Sequence, residues 1–122
     1  MLAKAEQFLG TARMVIESED HESSVSRAYY AVFHAIRALL DLGEPPESHP
    51  QIIDRCVRWN TTHTRLSAAG MLRGHKNLRS SLEALHRWRN QADYWVGLTS
   101  EERAKDAVDY ARRFLAVVKE GL

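Results

Sequence analysis

The stretch Leu78-Arg79-Ser80-Ser81-Leu82-Glu83-Ala84-Leu85-His86-Arg87-Trp88-Arg89-Asn90-Gln91-Ala92-Asp93-Tyr94-Trp95-Val96 decides how this chain folds. Leu78, Leu82, Leu85, Arg89, Ala92 and Val96 fall on one line with steps of three and four. That period predicts a helix seated on a core, from near Leu72 or His75 to about Trp95. Arg89 stands where a bundle helix ordinarily places another leucine. A guanidinium beside a buried stripe is costly unless it is compensated. Two compensations are open. Asp93, one turn on, can close an ion pair, or the arginine can face a pocket that receives an anion.

Outward from this helix, no segment sustains the alternation of a strand, and helical patterns fill the chain. A first helix is expected over about Leu2–Ser18, with Leu2, Ala5, Leu9, Ala12 and Ile16 inward. A second is expected over about Glu22–Leu42, its core stripe being Val25, Tyr29, Val32, Ile36 and Leu39. Glu19, Asp20 and Glu22 crowd its start, where the helix dipole favours negative charge. Gly43, Pro45 and Pro46 end it in a loop. Ser48 with Gln51 reads as a capping box with Pro50 in the first turn, and a short third helix to about Trp59 follows. Gly97 stops the fourth helix. Thr99 with Glu102 reads as a second box, opening a last helix over about Ser100–Lys119 with Ala104, Val108, Ala111, Leu115 and Val118 inward. Short connections between long helices predict an all-α, up-and-down antiparallel bundle of about five helices in one domain, residues 1–122.

A chain of 122 residues can bury roughly two-thirds of its unfolded surface without staples. Its composition, 44% hydrophobic and 27% charged, is that of a soluble globular domain. No apolar run reaches the roughly 20 residues of a membrane span, and no signal-peptide pattern stands at the N-terminus. The lone Cys56 excludes an internal disulfide, suits a reducing cytoplasm and is expected to pack as a small core residue. Net charge is +1 but unevenly spread: residues 51–90 carry eight Lys/Arg against two Asp/Glu, and residues 1–50 four against eight. The basic half is either a solvated face or a surface that attracts phosphate non-specifically.

On helix two, Arg27, Tyr30, His34, Arg37 and Asp41 form a polar line beside the core stripe. These residues either hydrogen-bond at a helix interface or line a groove together with Arg89. The six histidines, His21, His34, His49, His63, His75 and His86, form no H-x-H or H-x3-H pair, so no metal site is expected. No phosphate-binding glycine loop, nucleophile elbow or other cofactor motif is present. Trp88 and Trp95 are expected in the core or at a subunit contact.

Three segments together resemble the HEPN (higher eukaryotes and prokaryotes nucleotide-binding) domain family. They are Ser24-Val25-Ser26-Arg27-Ala28-Tyr29-Tyr30-Ala31-Val32-Phe33-His34-Ala35, then Ser48-His49 after a proline-bearing loop, then Arg89 with Ala92-Asp93-Tyr94. They are similar to the compact prokaryotic branch marked by S-R-A-Y-Y-A-x-F-H-A and a late A-D-Y. The resemblance spans nearly the whole chain and implies a helical bundle that pairs into a homodimer; the aromatic and polar stripe residues, more than one small interior satisfies, put the expected contact at part of helix two and the Arg89 end of helix four. Many relatives are metal-independent ribonucleases with R-x(4–6)-H on the late helix. There the arginine binds the scissile phosphate and the histidine moves a proton. Others partner minimal nucleotidyltransferases in toxin–antitoxin pairs, and others have no catalytic role.

This chain matches the arginine at Arg89 and departs at the histidine, because four residues later stands Tyr94 and then Trp95 and Val96. A phenol with a pKa of about 10 is a poor base at neutral pH. Three functions follow from the resemblance. One is a nucleotide- or nucleotidyltransferase-associated partner, with Arg89, Arg27, Tyr30, His34, Asp93 and Tyr94 at the nucleotide or phosphate site. The second is a divergent ribonuclease toxin in which His34 or His86 serves Arg89 as the base. The third is a non-catalytic dimerisation module held by an Arg89–Asp93 pair. The partner reading also makes Tyr94 a displaced candidate for adenylylation, because the acceptor tyrosine of relatives lies two residues beyond the missing histidine.

Overall fold

A computed structural model describes residues 2–17, 20–40, 48–94 and 99–121. Five α-helices and one 3-10 turn make up these segments: α1 (Leu2–Glu17), α2 (His21–Leu39), α3 (His49–His63), the turn Arg65–Ala69, α4 (Leu78–Tyr94) and α5 (Glu101–Gly121). There is no strand among the described residues. The all-helical expectation holds. α2 lies at the centre, packed on α1, α5 and α4 and only lightly on α3, while α3 rests on α4.

The inward stripes assemble as their spacing requires. Leu78, Leu82, Leu85 and Ala92 of α4 are buried, as are Val25, Tyr29, Val32 and Ile36 of α2. All five expected positions of α5 are buried, from Ala104 to Val118. The buried face of α5 is wider than that stripe and adds Ala107, Tyr110, Phe114 and Val117. Each large aliphatic side chain so covered contributes about 1.5–3 kcal/mol. Ala5 and Ala12 of α1 are buried, with Leu2 and Leu9 packed at the margin. Cys56 is fully buried, and burial pushes its thiol up to about 12, so it is a core residue and no nucleophile.

Helix ends depart from expectation where side chains offer a better cap. The Ser48–Gln51 box forms, with the Ser48 amide on Gln51 Oε1 at 2.8 Å and the Gln51 amide on Ser48 Oγ at 3.3 Å. α3 then continues past Trp59 to His63 instead of stopping. Its threonines do not break it, because the Thr61 hydroxyl bonds back to the Arg58 carbonyl at 2.6 Å. Thr64, at φ +54°, closes the helix in the left-handed region. α4 begins at Leu78, later than expected, because Asn77 Oδ1 accepts the Ser80 amide at 2.7 Å and so caps the helix there. A simple cap replaces the second box: Ser100 Oγ, not Thr99, accepts an amide, that of Arg103 at 3.0 Å, and arginine has no acceptor to return the bond. Thr99 is buried beside it. Asp20 caps α2 through the Ser23 amide.

The segment between the 3-10 turn and α4 is pinned from both flanks. Arg113 of α5 donates to the carbonyls of Ala69 and Met71, at 2.5 and 3.2 Å. Buried Ser81 of α4 accepts the Leu72 amide at 3.0 Å and donates to the Asn77 carbonyl at 2.9 Å. Gly70 stands at φ +73°, where any L side chain is strained, and a Cβ there would also have to displace the Arg113 guanidinium 2.7 Å away. The expected loop residues Gly43, Pro45 and Pro46, with Asp41, Trp95, Val96 and Gly97, lie outside the described residues. So do Glu19 and the side chains of Ile16 and Tyr94.

Candidate functional site

Helical spacing carries Arg89 to the inner face of α4, one turn beyond Leu85, and leaves its side chain only 14% exposed. Asp93 compensates it: the guanidinium lies 3.1 Å from the Asp93 carboxylate, whose other oxygen accepts the Ser26 hydroxyl of α2 at 3.3 Å. The ion pair open at the level of sequence is therefore formed. It is not the whole environment. The guanidinium also lies over two rings of α2, 5.3 Å from the centroid of Tyr29 and 5.5 Å from that of Tyr30. Its Nε is buried and has no hydrogen-bond partner among the described residues. A buried N–H left in this state costs free energy that an acceptor on a ligand would recover.

Beside Arg89 lies a cluster of rings that spacing along the chain does not reveal. His86 of α4 and His49 at the start of α3 stack with centroids 5.1 Å apart and planes at 2°. Tyr29 stacks on both, and Phe33 covers His49 at 4.5 Å. Burial holds the Tyr29 phenol well above its ordinary value, the nearby arginine opposing the rise. Tyr29 therefore stays protonated, and its hydroxyl is hydrogen-bonded to His49 Nδ1. Burial lowers the pKa of His49, helped by His86 and Arg89. Burial also lowers that of His86, helped by Arg89. Both imidazoles are accordingly neutral at pH 7.

This arrangement carries a sign. With folded-state values below about 6.5, the unfolded chain binds more protons than the folded one as pH falls through that value. Stability is then full at neutral pH and declines below about 6.5. The melting temperature is expected to drop between pH 7.5 and 5.5, and His86→Gln is expected to flatten that drop. A wild-type melting temperature constant over this window would contradict the assignment.

The polar line of α2 is only partly gathered at Arg89. Arg27 and Tyr30 line a cleft of about 300 Å³ with Phe8, Glu22, Ser23, Ser26, Ala92 and Asp93. An adjoining cleft on α1 shares Phe8 and Arg27 and adds Lys4. His34 instead turns toward α1, stacked on Phe8 at 5.4 Å and 4°, and Arg37 lies over Phe33. Of the two histidines considered as bases, His86 is thus the one in the ring cluster beside Arg89. Trp88 packs against the core and is covered by Arg103, 4.9 Å from its centroid. Sequence reasoning missed His49 and Tyr29 as site residues. Tyr29 reads as a core position, and only the packing of α3 across α4 brings His49 to it.

Among the described residues no three His, Cys, Asp or Glu side chains come together to hold a metal ion. No described helix is long and apolar enough to cross a membrane.

Comparisons with known proteins agree with this architecture. The model of the HEPN domain family matches residues 1–121. A Methanocaldococcus jannaschii protein named as a candidate toxin is 28% identical over 121 residues, covering 97% of this chain and 83% of that protein. A UPF0332 protein of Pyrococcus horikoshii is 28% identical over 120 residues, covering 82% of this chain and 84% of its own. No solved structure matches significantly. With the family match running from the first residue of α1 to the last of α5, and the arginine of the late motif seated against the tyrosines of the early one, the chain belongs to the HEPN domain family.

Proposed function

We propose that this protein is the HEPN member of a two-component, toxin–antitoxin-type pair, and that it binds a nucleotide at the cleft beside Arg89, with a minimal nucleotidyltransferase as its partner. One observation carries this: a nearly buried guanidinium, its Nε unpartnered among the described residues, lies over two tyrosine rings and pairs with Asp93, which lines a cleft together with Arg27 and Tyr30. Arg27 and Lys4 supply charge for phosphates, and Phe8 and Tyr30 supply faces for a base. The carboxylates of Glu22 and Asp93 in the same wall suit ribose hydroxyls or an exocyclic amine. They also disfavour a bare polyanion, so a nucleotide fits better than inorganic phosphate. The name of the Methanocaldococcus jannaschii relative points to the same biological setting. A homodimer joined through α2 and the Arg89 end of α4 is part of this proposal.

A second reading has its own observation. The stacked pair of neutral imidazoles, His49 and His86, lies beside Arg89, and a neutral imidazole next to a phosphate-binding arginine is what a metal-independent ribonuclease requires. The late helix nevertheless lacks the histidine of the nuclease motif. Proton transfer by a well-placed side chain is worth about 10²–10⁴-fold, so cleavage is expected to be absent or lower by that factor than in relatives with the full motif.

The test is a metal-free RNA cleavage assay beside a thermal-shift titration with AMP and ATP, on wild type, Arg27→Ala, Arg89→Ala and His86→Ala. Nucleotide-dependent stabilisation lost in Arg27→Ala, without cleavage, is the expected result. Robust cleavage abolished by both Arg89→Ala and His86→Ala would replace the first reading with the second. With a partner nucleotidyltransferase and ATP, an AMP adduct that disappears in Tyr94→Phe would mark Tyr94 as the acceptor.

A further inference from the structure

The basic half of the chain has a geometry that the Arg89 site does not use. Its centre is the exposed end of α3. There the His63 ring lies flat on the Trp59 ring, centroids 4.0 Å apart and planes at 5°. The Arg65 guanidinium stands over the same indole at 6.0 Å. His63 Nδ1 donates to the Trp59 carbonyl at 2.8 Å, which fixes the ring and leaves Nε2 as its remaining polar atom. His63 is exposed, so the stack Trp59–His63 ends on a face to which another planar group can be added.

Cations flank this stack on both sides. A cleft of about 470 Å³ is lined by Leu40, Arg55, Arg58 and Trp59. A second, of about 460 Å³, has Lys76, Arg79, Asn60, Thr61 and Ser67 in its wall. Arg58 of the first and Arg79 of the second both pair with Asp54, each at 2.9 Å. One carboxylate bridges the two clefts and is shared by two guanidiniums, so the triad keeps a net positive charge. Arg79 and Arg58 hold the Asp54 carboxyl below its usual value, which keeps it ionised and the bridge intact at neutral pH. Apart from Asp54, the segment 51–90 contains one acidic residue, Glu83.

We propose that the outer surface of α3 and the adjoining 3-10 turn binds single-stranded nucleic acid, one base extending the Trp59–His63 stack and the phosphates following Arg55, Arg58 and Arg79. The chemistry favours a single strand, because only an unpaired base can offer a free face to a protein ring. A cationic track with a stacking platform is the arrangement such ligands require. Nothing in these contacts reads the sugar, so RNA and DNA share the recognised chemistry.

Fluorescence anisotropy with labelled oligouridylate, oligothymidylate and a duplex of equal length tests this on the intact protein. Both single strands are expected to bind and the duplex to bind more weakly, and the ratio of the two single strands tells which nucleic acid is preferred. His63→Ala is expected to weaken binding about 5- to 150-fold, the value of one base stacked on an aromatic ring. For three phosphate contacts, affinity should fall about 20-fold between about 50 and 200 mM salt, and Arg58→Gln with Arg79→Gln should remove most of that dependence. Arg112→Gln should bind like wild type, since Arg112 lies on α5, paired with Asp109, and lines neither these clefts nor the one beside Arg89. Circular dichroism confirms that each variant is folded. Absence of binding by wild type, equal binding of the duplex, or binding unchanged in His63→Ala but lost in Arg89→Ala would each overturn the proposal.

Discussion

Phe114→Ala is expected to lower the unfolding free energy by about 3–5 kcal/mol, among the largest effects open to a side-chain deletion here. Phe114 is fully buried on α5, tilted against the equally buried Tyr110 at 5.9 Å. Its neighbours one turn away on that face, Tyr110, Ala111, Val117 and Val118, are themselves buried, and close packing lets them relax only in part into the space a lost ring would leave. The cost therefore includes an unrelaxed cavity as well as lost transfer energy. Against a total of about 5–15 kcal/mol, the variant should be only marginally folded at room temperature. Urea titration gives the answer: the midpoint should fall steeply with an unchanged slope. A loss under about 1 kcal/mol would mean that this face repacks freely.

The second large effect concerns the ion pair of α4. Asp93→Ala is expected to destabilise the domain by about 2 kcal/mol, because it strips the compensating carboxylate from a guanidinium only 14% exposed. The value sits below that of a fully buried pair since Asp93 is 35% exposed and screened by water. Arg89→Met should cost far less, or even stabilise, because a methionine continues the apolar line of Leu78, Leu82 and Leu85. The double variant should recover most of what Asp93→Ala loses. Such a cycle separates structure from function: an arginine whose removal strengthens the fold is there for its ligand. Equal losses in both single variants would instead make the pair a structural clamp.

How far the molecule could be read beforehand differs between fold and site. The stripes of α2, α4 and α5 emerge from spacing alone, since a period of three and four leaves one buried solution for Leu82, Val32 or Leu115. Helix ends were less legible. Whether Thr99 or Ser100 caps α5, and whether Asn77 opens α4, depends on which hydroxyl or amide the tertiary structure leaves free to turn. At the site, Arg89 and Asp93 announce themselves by standing one turn apart on an otherwise apolar line. Arg27 and Tyr30 follow from their position beside the α2 stripe. His34 shares that line, yet it stacks on Phe8 of α1, a contact set by how two helices pack. His49 belongs to another helix, and no local pattern connects it to His86. Its approach depends on the crossing of α3 over α4, which is a property of the assembled core.

The connection from Gly70 to Asn77 is irregular, yet its backbone is tied to α5 by Arg113 and to α4 by Ser81. Segments of this kind ordinarily fluctuate on their own, on a faster timescale than the helices they join. Here neither end can open without withdrawing an acceptor from a guanidinium or a donor from a buried hydroxyl. The connection therefore breathes with the helices on either side, as one cooperative unit. Lys76, which it carries, stands next to Asn77, whose carbonyl is held by the Ser81 hydroxyl, so its backbone position belongs to the rigid body of the domain rather than to a loop.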